Sequence, residues 1–116
     1  MCQTASQLNT VSTNHGGLAV LYRSSLKISR CILPPVNTFE CLALNLAASR
    51  SHRRVTLLSV YRPGSAAVTS EFFDELQLVL AAVQSAECSL VVVGDFNIHV
   101  DVPADFNTVQ LNDILK

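Results

Sequence analysis

This 116-residue sequence has little charge: 15% of its residues are Asp, Glu, Lys or Arg, against 49% apolar. That balance excludes a disordered segment, in which high charge and low hydrophobicity leave too little to bury. An excess of one sign is missing as well. Eight Lys plus Arg face nine Asp plus Glu, a formal net charge of −1, so no global pull toward nucleic acid or an anionic membrane follows, and any such contact is local. The basic cluster Arg50, His52, Arg53 and Arg54 lies between two apolar runs, where the plain reading is a solvated loop and the sharper one a phosphate contact. Cys2, Cys31, Cys41 and Cys88 form no C-x-x-C pair, and no paired histidines complete a zinc site, so a reduced, intracellular protein is expected. The N-terminus has neither the basic nor the apolar region of a leader, and no apolar run reaches the length of a bilayer. A soluble chain with no cleaved signal and no membrane partner is therefore expected.

What is present is enough apolar sequence for one modest core. Residues 1–15, rich in Ser, Thr, Asn and Gln, read as an irregular lead-in to a domain over 16–116. Gly16-Gly17 opens the apolar run Leu18 to Tyr22, which fits a strand. A poorly patterned stretch follows, ending at Pro34-Pro35. From Phe39 to Ala47 the chain alternates, with Leu42, Leu44 and Leu46 on one face and Cys41, Ala43 and Asn45 on the other. Val55 to Tyr61 reads as a third strand, antiparallel to its predecessor and stopped by Pro63-Gly64. Phe72, Leu76, Val79, Leu80 and Val83 fall at helical spacing within 70–86, with Thr69 or Ser70 as cap and Glu71, Asp74 and Glu75 early, where the helix dipole favours negative charge. The β-branched run within Ser89 to Gly94 reads as a central strand buried on both faces, and a short helix over 107–115 follows. This order argues for an α/β or α+β sandwich with a mixed sheet.

Chemistry concentrates where two of these strands empty into polar sequence. After Val93 come Gly94, Asp95, Phe96, Asn97, Ile98, His99, Val100 and Asp101. If the backbone stays extended, a period of two places Asp95, Asn97, His99 and Asp101 on one face, at the strand end where open sheets bind ligands. The bland alternative is an exposed edge with a polar face. A calcium loop is excluded, because Val100 stands where glycine is needed and Phe106 where glutamate is needed. The turn Tyr61-Arg62-Pro63-Gly64 ends the other strand with a phenol and a guanidinium, each able to bind phosphate, although alone such a turn is more often structural.

Taken together and in this order, Gly16 to Arg23, Phe39-Glu40, Tyr61-Arg62-Pro63, Phe72-Phe73 and Gly94 to Asp101 resemble the apurinic-endonuclease-like domain of non-LTR (LINE-type) retrotransposons, a branch of the exonuclease–endonuclease–phosphatase superfamily. The resemblance implies two facing sheets flanked by helices, a magnesium-dependent site at one end, DNA as substrate and a nuclear location. It gives Asp95 the task of orienting or deprotonating water, Asn97 that of holding the water and the phosphate, and Tyr61 that of donating to a phosphate oxygen. Arg62 and His99 would contact the substrate, and Arg54 could touch phosphate.

No metal ligand is assigned. In the family an Asn and a Glu from early strands hold the metal, upstream of the Gly-Gly segment, and Asn9 and Asn14 do not end hydrophobic strands. The family's C-terminal Ser-Asp-His would fall beyond Lys116. The chain is accordingly expected to be an internal piece of the domain, inactive alone, with another chain covering its exposed edges. A non-catalytic relic or interaction module and an inositol-phosphate phosphatase are the alternatives. Tyr61-Arg62-Pro63 and Ile98-His99-Val100-Asp101 argue against the second.

Overall fold

The computed structural model describes residues 8–12, 17–47, 54–65, 67–99 and 105–115. Among the described residues, six strands and two helices follow one another: β1 (Leu8–Ser12), β2 (Ala19–Arg23), β3 (Lys27–Arg30), β4 (Glu40–Ala47), β5 (Arg54–Tyr61), α1 (Ser70–Val83), β6 (Cys88–Asp95) and α2 (Phe106–Leu115). β1 and β2 form an antiparallel ribbon, and the other four strands form a sheet in the order β3-β4-β5-β6. β3, β4 and β5 are antiparallel neighbours, whereas β5 and β6 are parallel. The parallel pair requires a crossover, and α1 supplies it. The architecture is an α+β sandwich with a mixed sheet.

α1 forms because its apolar residues recur at helical spacing and its first turn is capped. The Thr69 hydroxyl accepts the Phe72 amide at 3.3 Å, and Glu71 lies in the first turn. All five residues expected to face the sheet, Phe72, Leu76, Val79, Leu80 and Val83, are buried, joined by Phe73. They pack in one cluster with Ala43, Leu58 and Val60, and Phe72 meets both Phe39 and Phe73 edge-on. A buried carboxylate fastens the helix to the chain entering β4: Glu75 accepts the amides of Asn37 (2.7 Å) and Thr38 (2.9 Å) and the Thr38 hydroxyl (2.5 Å). Burial alone would raise its pKa, but these donors outweigh burial and hold it below the ordinary value.

Three expectations are corrected. Residues 8–12, read as part of an irregular lead-in, form β1, which pairs with β2 from Leu8↔Arg23 to Ser12↔Ala19. Their polar composition hides a strand on a two-stranded ribbon, where one face needs little apolar cover. Residues 27–30, left without assignment, form β3, specified by its pairing with β4 rather than by its own pattern. β6 is an edge strand and not a central one. It pairs only with β5 among the described strands, and Val91 and Val93 are 43% and 42% exposed while Leu90 and Val92 pack toward α1.

Candidate active site at the sheet end

The β4–β5 pairing, closed between Ala47 and Arg54, runs out at Glu40↔Tyr61. The parallel β5–β6 register ends at Tyr61↔Asp95. Register partners point to the same face, so Glu40, Tyr61 and Asp95 form one row across three neighbouring strands, on the face opposite α1. Adjacent strands lie about 4.8 Å apart, which puts Tyr61 and Asp95 within reach of a single phosphate although α1 and its flanking turns separate them in sequence. Ahead of β2, the Gly17 amide donates to Glu40 Oε2 at 2.7 Å and so brings its backbone to this row. A methyl group added at Gly17 would lie 3.6 Å from the Tyr61 ring, so this backbone backs the phenol. Glu40 and Gly17 were not singled out as site residues from the sequence. Counting the antiparallel register outward from the pair Ala47 and Arg54 would have placed Glu40 beside Tyr61.

The strand end itself is built for close approach. Gly94 has φ +147°, and a Cβ there would fall 1.9 Å from the Val60 carbonyl oxygen, so only glycine allows β6 to pass β5 at this point. Extended backbone stops at Asp95. The Asp95 Oδ1 accepts the Asn97 amide at 2.9 Å in an Asx turn, and Asn97 takes φ +50°, a left-handed conformation that asparagine tolerates better than most residues. This turn ends the extended backbone, yet the alternation expected beyond Asp95 persists in burial, with Asn97 and His99 exposed and Phe96 and Ile98 partly buried. Phe96 and Ile98 pack on the core, Asn97 turns back on the β5 end, and His99 is exposed with its carbonyl held by the Thr108 hydroxyl of α2 at 2.7 Å. Asp101 lies outside the described residues, as do Arg50, His52 and Arg53.

Arg62 was expected to reach outward to phosphate. It is instead 3% exposed, with Nε donating to the Phe96 carbonyl and Nη2 to the Asn97 carbonyl, both at 2.6 Å, and Nη1 to the Pro63 carbonyl at 3.4 Å. Asn97 Nδ2 returns a bond to the Arg62 carbonyl at 2.5 Å, committing one of its two amide hydrogens. Arg54, at the opposite end of β5 from Tyr61, is exposed. It stands away from the row.

The sequence matches the model of the Endonuclease/Exonuclease/phosphatase family over residues 3–109. The chain belongs to that family, a superfamily of phosphodiester and phosphate-ester hydrolases that generally depend on a divalent metal. No curated protein and no solved structure matches it.

Among the described residues, no group of three or more His, Cys, Asp or Glu side chains is placed to hold a metal ion. Glu40 and Asp95 stand two strands apart, and each has one carboxylate oxygen already committed to a backbone amide. Magnesium demands near-octahedral oxygen coordination. Water commonly fills most of that octahedron, with one or two carboxylates and a substrate phosphate completing it, and the described residues offer Glu40 and Asp95 in the same row.

Proposed function

We propose that this chain carries part of a DNA endonuclease domain of retrotransposon origin, in which Tyr61 and Asp95 address one phosphodiester. The observation that carries the reading is their register pairing at the mouth of the sheet in a chain of this family. Asp95 has one carboxylate oxygen uncommitted by the Asn97 amide, suited to accept a hydrogen bond or proton from an attacking water. The Tyr61 hydroxyl is the donor that meets the charge gathering on a phosphate oxygen. Asn97 has its second amide hydrogen for water or phosphate, and exposed His99 is a further substrate contact.

The same reading holds that the polypeptide alone does not complete the reaction. A phosphodiester presents shielded oxygens that become attackable beside a cation, and magnesium gives up its waters reluctantly for so few ligands. The test is nicking of supercoiled plasmid across a magnesium series, together with binding of duplex DNA and of inositol hexakisphosphate. The expected outcome is background nicking, duplex binding weakened by Tyr61→Phe, and no preference for the inositol phosphate. Nicking that Asp95→Asn abolishes would overturn the inactivity and leave the endonuclease assignment standing. Preferential inositol phosphate binding would overturn the assignment itself.

A second reading, an interaction module, is favoured by one observation: β6, the outermost strand of its sheet among the described residues, presents Val91 and Val93 to solvent.

A further inference from the structure

Arg62 takes three consecutive carbonyls of the strand-end turn. Its backbone amide donates to the Asp95 carbonyl at 2.9 Å, its Nε to that of Phe96 and its Nη2 to that of Asn97. Asn97 closes the circuit onto the Arg62 carbonyl, and its side chain fills the space beside Gly64, where an added Cβ would lie 3.1 Å from Asn97 Oδ1. Beneath the guanidinium lies the Phe72 ring, 5.8 Å from its centroid. A planar cation with donors diverging from one fork suits two successive carbonyls; a lysine ammonium, a single point on a flexible stem, does not hold both in fixed directions.

We infer that Arg62 is a positioning residue, not a phosphate ligand: it fixes the 95–97 turn so that the Asp95 carboxylate stays in register with Tyr61. Two parallel strands that end together have no hydrogen bonds beyond their last pair to keep the ends from separating. Here the residue after Tyr61 supplies them. The inference rests on the endonuclease reading for what the turn serves, and on hydrogen bonds alone for what Arg62 does.

The experiment therefore has one arm that needs no DNA. Amide hydrogen exchange in Arg62→Ala and Arg62→Lys is expected to speed up at Asn97 by on the order of tenfold, while the Leu58 and Val79 amides exchange as in the parent. Millimolar methylguanidinium is expected to restore the Asn97 protection in Arg62→Ala, a rescue that general destabilisation would not show. Unchanged exchange at Asn97 in both variants would overturn the inference. So would equal acceleration at Asn97, Leu58 and Val79 without rescue, which would make Arg62 a general contributor to stability. In the second arm, the slope of log duplex affinity against log salt is expected to match the parent in Arg62→Lys and Arg62→Gln. A slope reduced by about 0.9 in Arg62→Gln, the loss of one phosphate contact, would overturn it. If no variant and no parent binds duplex, the endonuclease reading fails and the exchange arm still decides the role of Arg62.

Discussion

The two faces of the β3-β4-β5-β6 sheet are finished to different standards. On one, α1 seals Ala43, Leu58 and Val60 to 0% exposure. On the other, Leu42 and Leu44 are buried on β4, but Val91 and Val93 on β6 are close to half exposed, and the row Glu40, Tyr61, Asp95 lies at its end. The sealed face is made by a helix delivered within the crossover, close in sequence to the strands it covers. The unsealed face carries the polar row. Stability and chemistry are thus divided between the two sides of one layer, and substitutions should separate them.

The largest effect is expected where the two sides share backbone. Gly94→Ala places a Cβ against the Val60 carbonyl at a φ that L-residues rarely adopt, and should cost more than about 4 kcal/mol. Circular dichroism should find no cooperative melt. On the sealed face, Phe72→Ala should cost about 3–5 kcal/mol and Leu76→Ala about 2–5 kcal/mol in urea unfolding, since both are fully buried.

Next comes the clamp that fastens α1. Glu75→Ala strands the Asn37 and Thr38 donors and should cost about 1–3 kcal/mol. Because its folded pKa is lowered, this carboxylate contributes fully above the ordinary value of 4.5, and the contribution drains away as pH falls through the lowered one. Melting temperature of the parent should therefore fall on acidification more than that of Glu75→Gln.

The smallest effect belongs to the unsealed side. Val93→Thr should lie within about 0.5 kcal/mol of the parent. A cost equal to that of Leu76→Ala would show that something covers β6 in solution, and the contrast between the faces would have to be abandoned.

Much of this was legible in the sequence. The periodicity of 70–86 marked the helix and its buried residues, although the helix stops at Val83, and the alternation of 39–47 assigned both faces of β4 correctly. Long, regular patterns carry their own reading. β1 and β3 do not, because short strands are specified by the partner they pair with, and a partner chosen at a distance leaves no local trace. The proximity of Tyr61 and Asp95 followed from strands that end together. The burial of Arg62 was not legible, because a guanidinium after a strand looks the same in sequence whether it faces solvent or three carbonyls, and the left-handed Asn97 that brings those carbonyls to it leaves no mark in the pattern.

The row Glu40, Tyr61, Asp95 also has a history within each molecule's folding. Its first half belongs to an antiparallel pair whose strands, β4 and β5, lie only six residues apart in sequence, while its second half waits for β6 to return across the helix, with Phe96 standing 34 residues beyond Arg62. Short loops close at small entropic cost and long ones later. Glu40 and Tyr61 should thus become neighbours early during refolding, and Asp95 should join them only as the chain commits to its final topology. A refolding probe placed at Asp95 would then time the completion of the whole domain, whereas one at Glu40 would time only the antiparallel pair.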